Sequence, residues 1–75
     1  MKLEYSVHIE RLAESDGGGY LAVVPDLPGC IATGRTRREV QWRIRTAIEM
    51  HLEGMREDGE VPPAPTSTSG SVEIA

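Results

Sequence analysis

At 75 residues, one cysteine and a net charge of −4, the chain makes one small domain at most and has no internal disulfide. A chain this short buries only about 60% of the surface its unfolded form exposes. Since neither a disulfide nor a zinc-ligand spacing braces it (His8, Cys30 and His51 are scattered), association with itself or with a partner is the expected source of extra stability.

In chain order, Leu3, Tyr5, Val7 and Ile9 alternate with Lys2, Glu4, Ser6, His8 and Glu10. Period two predicts a strand with one apolar and one wet face. Glu14-Ser15-Asp16-Gly17-Gly18-Gly19 reads as a turn. Tyr20 to Val24 is apolar without alternation, which suits a strand covered on both faces. Val24-Pro25-Asp26-Leu27-Pro28-Gly29-Cys30 then turns the chain stiffly, and Cys30 to Thr33 makes a third strand closed by Gly34. These three strands form an antiparallel meander.

Thr36-Arg37-Arg38-Glu39 has the spacing of a capping box, in which threonine caps the helix and glutamate reaches back. Val40, Ile44, Ala47, Ile48, His51, Leu52 and Met55 follow at helical spacing, predicting a helix from Arg37 to about Arg56 with one stripe against the sheet. Asp58-Gly59 ends it, and Pro62, Pro63 and Pro65 forbid its continuation. Residues 62–70 read as a flexible connector, and Ser71-Val72-Glu73-Ile74-Ala75 alternates again as a fourth strand. The whole chain, 1–75, is then a single α+β domain of two layers, β-β-β-α-β, with one helix on one sheet face. That single helix leaves the second apolar face of Tyr20–Val24 uncovered, as an interaction surface.

Charge is unevenly spread. Residues 1–34 carry −3, residues 35–56 carry +3 from six arginines against three glutamates, and residues 57–75 carry −4. No apolar run approaches the ~18 residues that cross a bilayer. The N-terminus lacks the apolar stretch of a secretion signal. A cytoplasmic protein with a reduced thiol is expected.

Catalysis has little to stand on. Glu4 and Glu10 share a strand face that reads as solvated, and neither His8 nor His51 has a carboxylate or nucleophile partner in sequence. No catalytic, metal or cofactor residues are assigned, and no enzyme is expected. Two segments suit a partner. In the proline-rich turn, Asp26, Leu27 and Pro28 either form a loop tip offered to another chain or, for Leu27 and Cys30, fill the core. On the helix, Arg38, Trp42 and Arg45 lie at i, i+4 and i+7, away from the apolar stripe. Trp42 there either anchors a protein interface, stacks on a nucleic-acid base, or lies flat under arginine stems. Tyr20 joins these partner-facing candidates.

Tyr5 through Ile9, Gly19-Tyr20 leading into Val24-Pro25-Asp26-Leu27-Pro28-Gly29-Cys30, then Gly34-x-Thr36-x-x-Glu39, Ala47-Ile48, Leu52 and Asp58-Gly59-Glu60-x-Pro62 together resemble the HicB-like antitoxin family over roughly residues 3–65. The final Ser71–Ala75 suits that family's last strand. The resemblance implies a degenerate ribonuclease H-like fold without established catalysis, self-association as dimers or tetramers, and binding to HicA toxins. Those toxins are small basic proteins that cleave messenger RNA. The resemblance is to a short form, because many relatives continue into a C-terminal DNA-binding domain and no such segment follows Ala75, so direct DNA binding is not expected. The arginines at 37, 38, 43 and 45 and Trp42 stand where relatives more often carry acidic or small polar residues. A stand-alone homo-oligomeric module without a toxin, or a weak nucleic-acid binder using Arg38, Trp42 and Arg45, are the competing functions.

Overall fold

The computed structural model describes residues 4–66. Three strands, β1 (His8–Arg11), β2 (Tyr20–Val23) and β3 (Ile31–Gly34), form one antiparallel sheet in the order β1-β2-β3. One long helix, α1 (Arg37–Glu57), follows. The α+β class and the helix on one sheet face agree with the sequence expectation. Leu3 and the proposed strand at Ser71–Ala75 lie outside the described residues.

The first strand is shorter than its alternation predicts, and the reason is its partner. His8 pairs with Val23, the last residue of β2, so residues 4–7 have no strand opposite them. Tyr5 and Val7 nevertheless pack against the core beside Ile9, so the apolar face extends beyond the ladder. Between β1 and β2 the chain makes a short 3-10 turn (Glu14–Asp16) before its glycines.

The proline-rich turn explains its own composition. The Leu27 amide donates to the Val24 carbonyl at 3.1 Å, the Cys30 amide to the Leu27 carbonyl at 3.0 Å, and the Val24 amide to the Cys30 carbonyl at 3.1 Å. Two tight turns therefore share Leu27 as their hinge. Pro28 followed by Gly29 at φ +85° supplies the second turn, since that pair suits proline then a positive-φ residue. The double turn drives Leu27 inward, to 1% exposure. Six residues are buried together: Ala22, Val24, Leu27, Cys30, Val40 and Ile44. Three of the six, Val24, Leu27 and Cys30, belong to the turn because a three-stranded sheet of four-residue strands has few inward positions of its own.

Both helix ends are closed as the sequence predicts, with one change. The Glu39 amide donates to Thr36 Oγ1 at 3.0 Å, but the Glu39 carboxylate accepts from the Arg35 amide, one residue before the cap, at 3.3 Å. At the other end Glu60 N–H reaches the Met55 carbonyl at 2.8 Å and Gly59 N–H the Arg56 carbonyl at 3.1 Å, with Gly59 at φ +76°. That is a Schellman closure. The helix is about 31 Å long at 1.5 Å per residue, whereas four-residue strands span about 13 Å. It rests on β3 and β2 and overhangs them, so only Val40 and Ile44 are fully buried while Ala47, Ile48, His51, Leu52 and Met55 are half-buried.

After the helix the chain folds back. Tyr5 Oη donates to the Pro63 carbonyl at 2.6 Å, and Asp26 accepts from Thr66 at both its amide and its hydroxyl. Pro62 and Pro63 are half-buried, so residues 62–66 of the expected connector are tied down at two points.

Candidate interaction surfaces

The strand register sorts the sheet into two faces. Ile9, Ala22 and Ala32 form a row facing α1. On the other face His8, Val23 and Ile31 form one row and Glu10, Leu21 and Thr33 the next. No described element covers this second face. Ile31, on the edge strand β3, is 57% exposed, with Leu21 and Val23 half-buried on the central strand. His8 Nε2 lies 3.6 Å from a Glu10 carboxylate oxygen at its margin, both side chains well exposed. This is the uncovered apolar face that the Tyr20–Val24 run predicts.

The predicted partner residues divide among different surroundings. Asp26 and Pro28 lie on the double turn, Pro28 exposed and Asp26 half-buried and engaged with Thr66. Leu27 takes the core alternative rather than the loop-tip one, because the two turns point it inward. Tyr20 faces the helix side, half-buried against the core, so its side chain does not contribute to the open sheet face. Arg38, Trp42 and Arg45 are all exposed on α1, Trp42 at 69%, and Arg45 also lines a recess shared with Tyr5, Val7 and Ile9. The structure therefore separates the open sheet face from the Trp42 face, which lie on opposite sides of the two layers, while the turn packs its buried residues into the core between sheet and helix.

Trp42 is not sheltered by arginine stems. Arg43 pairs with Glu39 at 3.3 Å and Arg45 with Glu49 at 3.6 Å, and Arg38 makes no ion pair among the described residues. Met50, two turns along, is 70% exposed. The exposure of Met50 is missed by a reading that follows only the core stripe, although its i, i+8 spacing from Trp42 signals it.

A further recess opens where α1 stops short of β1. Its floor is Tyr5, Val7 and Ile9, its wall Ile44, Ile48 and Leu52, and it holds about 630 Å³. Titration tracks packing at two positions. Burial pushes the Cys30 thiol up from its ordinary value. Tyr5 is raised first by burial and then by the negative charge of Asp26. No cluster of three or more metal-ligating side chains occurs among the described residues, and no described helix is long and apolar enough to cross a membrane.

Comparison with known proteins gives these surfaces a context. Residues 5–73 match the family described as "HicB_like antitoxin of bacterial toxin-antitoxin system". An uncharacterized 14.9 kDa protein from the rep-hol intergenic region of Haemophilus phage HP1 is 41% identical over 59 residues, covering 79% of this chain but 41% of the phage protein. The chain thus spans less than half the length of that relative. UPF0150 proteins of Thermoplasma acidophilum (33% identical, 81% of this chain and 84% of the relative) and Helicobacter pylori (38%, with 67% and 69% covered) match over most of their lengths. The chain belongs to the HicB-like antitoxin family of bacterial toxin-antitoxin systems.

Proposed function

We propose that this protein is a non-enzymatic, cytoplasmic antitoxin that binds and occludes a HicA-type messenger-RNA-cleaving toxin. The observation that carries the reading is the open sheet face: Leu21, Val23 and Ile31 lie on a rigid sheet beside the double turn, with nothing of the described chain over them. A preorganised apolar face loses little entropy when a partner settles on it. The acidic groups Asp16, Asp26, Glu57, Asp58 and Glu60 would draw a basic toxin in and disfavour acidic competitors.

The reading includes the fourth strand of a degenerate ribonuclease H-like domain. Ser71–Ala75 is the segment assigned to that strand, from the alternation of Val72 and Ile74 with polar or small neighbours. The reading also includes self-association.

Co-expression with a small basic protein encoded beside this chain tests the function. The expected outcome is a defined complex in which ribonuclease activity is lost and returns when Ile31 is changed to glutamate. A basic neighbour that stays active and separate in the presence of folded protein would refute the proposal.

A further inference from the structure

The charges of α1 are segregated along its length in the sense that the helix itself resists. The N-terminal half carries Arg37, Arg38, Arg43 and Arg45 against Glu39, and the C-terminal half carries Glu49, Glu53 and Glu57 against Arg56, with Asp58 and Glu60 following. Cations near a helix N-terminus and anions near its C-terminus oppose the macrodipole. Within the chain, Arg43 and Arg45 are partly balanced by Glu39 and Glu49, and Arg56 by Glu53, whereas Arg38 and Glu57 pair with no described residue.

The outer ridge carries Trp42, Thr46 and Met50 at i, i+4 and i+8. Trp42 and Met50 are exposed by 69% and 70%, and Thr46 hydrogen-bonds back to the Trp42 carbonyl at 3.3 Å. One turn beyond Met50 the helix has Gly54, a residue that costs about 0.5–1 kcal/mol relative to alanine in a helix interior. No fold requirement explains it, since a Cβ there would meet nothing within 4 Å. The missing side chain leaves a shallow recess of about 430 Å³ lined by Met50, Glu49, Glu53 and Glu57.

We infer that this face docks a second copy of the chain, with the two α1 helices packed antiparallel about a two-fold axis at Thr46. That axis sets Trp42 of one protomer against Met50 of its partner, twice. It brings Arg38 of one protomer to the Gly54 recess of the other, where three carboxylates face it and the absent side chain makes room for the guanidinium. Antiparallel packing also sets each basic half against an acidic half and opposes the two helix dipoles. The same patch serves both protomers, as an isologous interface requires. A second copy answers both halves of the helix at once: its basic half meets the carboxylates, and its acidic half meets the arginines. The buried Trp42–Met50 pairs supply affinity, and the rim charges set orientation.

This inference rests on the self-association in the reading above, names its surface, and does not depend on the toxin. The test is sedimentation of the purified chain alone, with emission of Trp42, the chain's one tryptophan, followed on dilution. Expected are a dimer, a red shift on dissociation, and a dissociation constant raised at least about tenfold by Trp42→Glu. Arg38→Glu weakens the dimer and added Glu53→Arg restores it. A chain that is monomeric at every concentration overturns the inference while leaving toxin binding open. A dimer indifferent to Trp42→Glu but broken by Ile31→Glu assigns self-association to the sheet face and equally overturns it.

Discussion

The Asp26 carboxylate holds Thr66 at two points, accepting its amide at 2.9 Å and its hydroxyl at 2.8 Å across 40 residues of chain. This pins the segment after the helix to the double turn between β2 and β3. Asp26→Ala should lower stability by about 1 kcal/mol. Thr66→Ala should remove the hydroxyl's share only, leaving a measurable coupling in a double-mutant cycle by urea denaturation. Full additivity of the two substitutions would show that the hydroxyl half of the clamp carries no energy.

Tyr5 fastens the same segment through Pro63, and here pH is the probe. Its hydroxyl titrates above the ordinary value of 10.0, so the folded state binds this proton more tightly than the unfolded chain. The stabilisation is complete below pH 10 and is lost as pH rises through the folded value, where the donor to Pro63 disappears and a phenolate faces Asp26. Tyr5→Phe should cost about 0.5–1.5 kcal/mol at neutral pH. The gap between wild type and variant should shrink above pH 10 in alkaline melts. A gap constant to pH 12 would refute the assignment.

Leu27 is the turn residue whose loss the fold should feel most. Leu27→Ala is expected to destabilise by about 2–5 kcal/mol, comparable to the whole stability of a domain this small. Thermal melting by circular dichroism should show a broad or absent transition. Pro28→Ala, at an exposed position, should shift stability by less than about 1 kcal/mol.

Gly34 and Val40 touch where the sheet hands over to the helix. A Cβ on Gly34 would lie 2.7 Å from the Val40 backbone nitrogen, an atom that cannot swing aside. Gly34→Ala should therefore destabilise by about 1–3 kcal/mol through displacement of the first helical turn. Gly54→Ala, in open space, should stabilise the monomer by about 0.5–1 kcal/mol. Chemical denaturation of the two variants should give opposite signs.

Ile31→Glu separates folding from binding. At 57% exposure Ile31 contributes little to the core, so stability should change by no more than about 0.5 kcal/mol. Complex formation with the proposed HicA-type toxin should nonetheless be lost, read by co-purification.

The sequence by itself determined the local elements: the capped helix, the glycine turn, the double-proline turn and the apolar stripe, each written in residues a few positions apart. The motifs running from Tyr5 to Pro62 were enough to point to the HicB-like family. What the tertiary structure decided were matters of pairing across distance. It ended β1's ladder at His8 because β2 stops at Val23, turned Leu27 inward where local pattern allowed either side, and put Trp42 and the open sheet face on opposite sides. It also brought Tyr5 to Pro63 and Asp26 to Thr66. No periodicity encodes those two contacts, because each depends on where the overhanging helix delivers the chain.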